Sequence, residues 1–115
     1  MTIERIKVGP RMSQAVIHGA TIYLAGQVAD DPSEDVAGQT RQILAKIDNL
    51  LAEAGADKSK VLSANVWLSD ISTFDQMNAV WDKWVTPGRP PARATVESRL
   101  ARPEFKVEIM VVAAR

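Results

Sequence analysis

The sequence predicts an α+β domain: two helices covering one face of a six-stranded, mostly antiparallel sheet, in the order β-β-β-α-β-α-β-β. Three observations carry this. Apolar residues recur at three- and four-residue steps from Val36 to Ala54, the stripe of an amphipathic helix. A second such face, Phe74, Met77, Trp81, Trp84 and Val85, follows after a short apolar segment. Around these lie short β-prone runs separated by Gly, Pro and polar residues. Strands and helices mixed in this way pack as layers around one core. At 115 residues, 46% of them apolar, the chain suits a single domain over residues 1–115 that needs no covalent staples.

Ile3–Val8 reads as the first strand, and Gly9-Pro10 breaks it. Gln14–Ile17 and Ile22–Ala25 form the next two, with His18-Gly19-Ala20-Thr21 as a hairpin turn between them. Gly26 closes the third strand, and Ala29–Asp35 is a polar loop. Ser33 or Asp35 can cap the first helix, and Gly55 suits its end. Val61–Leu68 is a strand. The second helix is expected to start at Ser72, with Asp75 completing a capping-box-like pair, and to end at Thr86-Pro87-Gly88. Arg89-Pro90-Pro91 leads extended into a strand at Ala92–Ser98. The last strand, Phe105–Ala113, is apolar on both faces, so burial on both is expected. Two helices leave one sheet face uncovered, and a partner subunit is the simplest cover for it.

Composition removes several function classes. With no cysteine there is no disulfide scaffold, thiolate nucleophile or thiolate metal site, and a single histidine precludes a multi-histidine centre within one chain. Fourteen basic residues against fourteen acidic ones give no basic footprint for nucleic acid. No run approaches the length needed to cross a bilayer, and no secretory h-region follows Met1, so a cytoplasmic location is expected. Neither a phosphate-binding glycine loop nor a Ser-His-Asp arrangement is present, which leaves acid/base assistance to water as the chemistry within reach.

Two charged residues stand out. Glu108 lies within Lys106-Val107-Glu108-Ile109-Met110, a carboxylate in an otherwise apolar strand. Such a group is either ion-paired or set in a cleft where desolvation raises its pKa. Arg93, in Pro91-Ala92-Arg93-Ala94-Thr95, is its natural partner if the last two strands form an antiparallel hairpin that sets 93 opposite 108 on one sheet face. The pair either neutralises itself across the strands or offers the guanidinium fork to a ligand carboxylate. Asn78 sits on the second helix beside Phe74 and Trp81, on either a solvated face or a site rim. His18, Arg99 and Arg102 read as surface residues.

At these residues the sequence resembles the reactive-intermediate deaminase (RidA/YjgF) family. The carrying pieces are Gly9-Pro10 with Ser13-Gln14-Ala15-Val16, then Tyr23-Leu24-Ala25-Gly26-Gln27, then Pro91-Ala92-Arg93-Ala94-Thr95-Val96, and Val107-Glu108-Ile109. Trp81-Asp82-Lys83-Trp84-Val85 is similar to the YoaB-like branch. The resemblance implies a chorismate-mutase-like fold, a homotrimer with ligand clefts between subunits, and no cofactor or metal. It implies hydrolysis of 2-imino or enamine acids, such as 2-iminopropanoate and 2-iminobutanoate, to 2-oxo acids and ammonia. Arg93 would hold the substrate carboxylate and Glu108 would activate water. Backbone around Ala25 and Gly26, together with Thr95, would line the pocket, with Asn78 at its rim. The chain departs from the family pattern at Met12, where many members carry tyrosine, at Ala25 in place of serine, and at Thr95 in place of cysteine. A non-catalytic trimer that binds small carboxylates is the alternative, and a chaperone-like role on apolar surface is a third reading.

Overall fold

The computed structural model describes all 115 residues. Strands β1 (Ile3–Val8), β2 (Ser13–His18) and β3 (Thr21–Leu24) come first, followed by helix α1 (Val36–Glu53). Strand β4 (Val61–Leu68), helix α2 (Phe74–Trp84), β5 (Ala92–Glu97) and β6 (Val107–Ala114) complete the order expected from sequence. The β2–β3 turn is Gly19-Ala20, with Gly19 at φ +60°, a conformation that glycine adopts without Cβ strain. Asp35 rather than Ser33 caps α1, accepting a hydrogen bond from Gly38 N–H. Gly55 follows the helix at φ +84°.

The six strands form one sheet in the order β1-β2-β3-β6-β4-β5. All neighbours are antiparallel except β4 and β5, so the sheet is mixed. This corrects the expected terminal hairpin. Strand β6 inserts between β3 and β4, and β5 pairs only with β4 at the sheet edge. The segment α2 between β4 and β5 supplies the crossover that a parallel pair requires. Arg93 therefore aligns with Ala64, which aligns with Val111, whereas Glu108 aligns with Trp67. Residues aligned across strands share a face. Arg93 lies on the face of Ala64 and Val111, toward the helices, and Glu108 lies on the opposite face with Trp67. The two are not cross-strand partners.

The core fills the space between helices and sheet. Ile43, Ile47 and Leu51 of α1 meet Ile22, Val66, Ile109 and Val111 of the sheet, all essentially inaccessible to solvent. Burying each such side chain contributes roughly 1.5–3 kcal/mol before entropy is counted. The other face carries Val16, Tyr23, Trp67, Val96, Met110 and Val112, and neither helix packs on it. Tyr23 and Val96 are about half exposed. The last strand is thus buried on one face and half-buried on the other, contrary to the expectation of burial on both. Its second apolar face has no cover within the chain.

The start of α2 also differs from expectation. Ser72 does not pair with Asp75; its hydroxyl and N–H both donate to Asp70. Asp70 caps a single 3₁₀ turn over Ile71–Thr73, and α2 begins only at Phe74. The same Asp-x-Ser clasp recurs at Asp31–Ser33 and Asp57–Ser59. No helix is long and apolar enough to cross a membrane.

Candidate functional site

The residues singled out from sequence fall into two groups on opposite faces of the sheet. The first lies between β5 and α2. Arg93 leaves β5 toward the helix and comes to rest on aromatic and thioether surface. Its guanidinium carbon is 4.9 Å from the Trp81 ring centroid and 5.8 Å from that of Phe74, with Nη1 3.9 Å from Met77 Sδ. These three residues recur along α2 at helical spacing, so one stripe presents them all. No carboxylate pairs with Arg93; the three ion pairs of the chain lie elsewhere, at Lys7–Glu53, Lys46–Asp30 and Arg115–Glu4. Burial pulls its pKa below the ordinary arginine value, opposed by the charge of Asp82. It nonetheless stays cationic across the physiological range.

Thr95 and Asn78 belong to this group. Thr95 is two residues beyond Arg93 on the same face of β5. Asn78 shares the α2 stripe with Phe74 and Trp81. Thr95 Oγ1 and Asn78 Oδ1 are both buried without a hydrogen-bond partner. Buried polar atoms rarely remain unpaired. Both belong to the elements that hold Arg93, β5 and α2.

The second group lies where the segment after β3 meets β6. Gln27 and Ile109 exchange two backbone hydrogen bonds, of 2.9 and 3.1 Å, which pin that segment to the sheet. Gln27 is buried, and its side chain donates to Gln14 Oε1 and to Ala25 C=O. Gly26 is held against the Glu108 side chain: a Cβ built on Gly26 would land on Glu108 Oε2. A side chain at 26 would displace the flexible Glu108 carboxylate, so the glycine lets that carboxylate keep its position; no unusual φ is involved. The Glu108 side chain makes no ion pair or hydrogen bond within the chain, and desolvation raises its pKa above the ordinary carboxylate value.

Ala25 lies in this second group. Its N–H donates to Gln14 C=O and its own C=O accepts from Gln27, so both backbone groups are engaged. The free backbone groups belong to Gly26, which makes no hydrogen bond in the chain. Sequence reasoning missed two participants. Trp81 reads as core or interface from its helical spacing, yet it is also the bed of Arg93. Trp67 stands opposite Glu108, and the alternation of buried Ala64, Val66 and Leu68 was the signal that turns it to the Glu108 face.

Against known proteins, the family model described as endoribonuclease L-PSP, the YjgF/RidA group, matches residues 2–115. The chain belongs to the RidA/YjgF family. It is 46% identical to a RutC family protein of Haemophilus ducreyi over 112 residues, covering 97% of this chain and 96% of that one. It is 44% identical to the RutC family protein YoaB of Escherichia coli K12 over 114 residues, covering 99% of each. Among solved structures, a YjgF-family member from Neisseria meningitidis superposes with a TM-score of 0.98 at 48% identity, covering 100% of this chain and 96% of that one. An uncharacterised protein from Pseudomonas aeruginosa does so with a TM-score of 0.97 at 46% identity, covering 99% of both. The α+β fold expected from sequence is the fold of both structures.

Proposed function

We propose that this chain hydrolyses 2-imino acids, among them 2-iminopropanoate and 2-iminobutanoate, to 2-oxo acids and ammonia, in clefts completed by a second copy. The observation that carries the reading is Arg93: a guanidinium fixed on aromatic surface, with no anion of its own and two unpartnered polar atoms nearby. That is a receptor for a small carboxylate. Glu108 supplies the second requirement, a desolvated carboxylate whose raised pKa suits proton transfer.

The steps balance without a covalent intermediate. Arg93 holds the substrate carboxylate. Glu108 accepts a proton from water as the water oxygen bonds to the imine carbon and the C=N π pair moves to nitrogen. Glu108 then returns that proton to the nitrogen. In the resulting carbinolamine Glu108 takes the hydroxyl proton and passes it to nitrogen; the O–H pair becomes the carbonyl as the C–N bond breaks, releasing ammonia and the 2-oxo acid. The free N–H of Gly26, beside Glu108, would donate to the developing polar centre. Activity here would need no cofactor.

Arg93 and Glu108 of one chain face opposite sides of a sheet, so one small substrate cannot touch both. A second copy seated on the apolar face around Trp67, Met110 and Val112 would bring a foreign Arg93 edge toward Glu108. This favours the homotrimer with inter-subunit clefts that the family resemblance implies, in which Thr95 and Asn78 line the arginine side. The location consistent with this role is cytoplasmic.

Endoribonuclease activity, the wording attached to the family model, is disfavoured by geometry. Metal-free RNA cleavage needs a paired acid and base. Within one chain the single histidine, His18, aligns with Thr21 and through it with Ala114, far along β6 from Glu108, so this chain supplies no His–Glu pair for that chemistry. The non-catalytic alternative, a carboxylate-binding regulatory trimer, uses the same Arg93 and differs only in turnover. The deciding experiment generates 2-iminopropanoate in situ with an amino-acid oxidase and follows 2-oxo acid release above the spontaneous rate. Acceleration by the wild type, lost in Arg93→Ala, supports deamination. Carboxylate binding without acceleration moves the assignment to the binding trimer.

A further inference from the structure

We propose that the groove between α1 and α2 is a second binding site, for a small carboxylate with a flat or branched apolar body. The site is independent of the proposed deamination and uses none of its residues. The groove encloses about 450 Å³, within the range of small-molecule sites. It opens on the helix layer, on the opposite side of the molecule from the uncovered sheet face. A second copy seated on that face would leave it open.

Its construction follows from helical spacing. Arg41 has Ala37 and Ala45 four residues to either side, and Lys83 has Ala79 four residues before it. Small residues at these positions open the space between the helices. They also leave both cations without a carboxylate at the distances where a helix would pair them. Leu44, Val80 and Trp84 give the groove its apolar surface. Lys58 enters from the turn before β4, its ammonium 6.0 Å from the Trp84 ring centroid.

The charge inventory is lopsided. Arg41, Lys58 and Lys83 line the groove, and none forms an ion pair, although the whole chain is neutral. The one acidic residue there, Asp48, accepts a hydrogen bond from Trp84 Nε1 at 3.0 Å, which fixes the indole as a wall. Apolar surface flanked by three unpaired cations calls for a ligand with an apolar body and one anionic end. The Arg41 fork matches a carboxylate in two parallel hydrogen bonds, and the ring of an aromatic acid can lie against Trp84.

The test titrates ¹⁵N-labelled protein with phenylacetate and, separately, with its neutral isostere phenylacetamide, up to about 20 mM. The expected result is saturable movement of the Trp84 indole N–H and the Ala45 and Ala79 amides, with a Kd on the order of 1 mM. The amide should bind at least about tenfold more weakly. Arg41→Ala combined with Lys83→Ala, both exposed substitutions, should weaken phenylacetate by a similar factor, while Arg93→Ala should leave the phenylacetate Kd within about twofold. Equal binding of acid and amide, movement confined to residues around Arg93, or no saturation at these resonances would each overturn the proposal. Deaminase activity plays no part in the readout, so the two proposals fail separately.

Discussion

The Arg93 and Glu108 regions solve opposite problems. At Arg93 a permanent cation is kept at a helix–sheet junction by Trp81, Phe74 and Met77, groups that attract or tolerate charge without neutralising it. At Glu108 an anion is kept on a half-buried sheet face by clearing backbone out of its way, with Gly26 pressed against it. Each region withholds from its charge the partner that the other carries. Within one chain the sheet separates them. The lesson is that a complementary pair need not be a contact: two charges left unsatisfied in one fold can be the two halves of a site between copies.

The strongest way to break this comparison is to remove each half in turn. Arg93→Ala should lower turnover of 2-iminopropanoate by at least about 10³-fold, and Glu108→Gln by about 10²–10⁴-fold. If the halves meet between subunits, mixing the two inactive variants during refolding should restore about a quarter of the wild-type rate, because about a quarter of the clefts then hold both native groups. Mixed oligomers with no recovered activity would argue that each chain must supply both groups.

Gly26→Ala probes the second region alone. The new methyl must push the flexible Glu108 carboxylate aside, so turnover should fall by about 10²-fold while the thermal midpoint hardly moves. A large loss of stability instead would mean that the glycine serves folding. The first region has a gentler probe. Trp81→Phe keeps a ring under Arg93 but a poorer one for a cation, and it should raise KM by about three- to tenfold with a smaller change in kcat.

The smallest effects should appear in pH dependence, and the signs differ between regions. Desolvation raises the Glu108 pKa, so its charged form disfavours the fold. Its cost sets in as pH rises from the ordinary glutamate range through the raised value. Over that window Glu108→Gln should gain stability relative to wild type, and wild-type activity should rise as the base ionises. Hydrogen bonds from Ser33, Ser59 and Ser72 hold Asp31, Asp57 and Asp70 below the usual carboxylate range. Those clasps stabilise the fold above the ordinary aspartate pKa and release it as pH falls through the lowered values. A urea-midpoint series across pH, run on wild type and Glu108→Gln, separates the two.

Much of this architecture was legible because it is local. The stripe from Val36 to Ala54, the Asp35 and Gly55 ends and the Gly19-Ala20 turn are written in neighbouring residues. So was the suspicion of Glu108, a charge in an apolar strand. The pairing of strands was not legible. Alternation tells which residues of one strand share a face, but it says nothing of which strand lies beside it. Setting β5 against β6 as a hairpin therefore placed Arg93 on the wrong side of the sheet relative to Glu108. The same limit hid Trp67 as the neighbour of Glu108. At α2 the competition was local but close: Asp70 accepts from the Ser72 N–H that Asp75 would have taken in a capping box, and from the Ser72 hydroxyl as well.

The open sheet face has a consequence for how this protein behaves in a test tube. Under the proposed assembly, in which copies of the chain cover Trp67, Tyr23, Met110 and Val112, no stability can be quoted without a concentration. By mass action its melting temperature should climb as protein is added, and dilution alone should act as a denaturant.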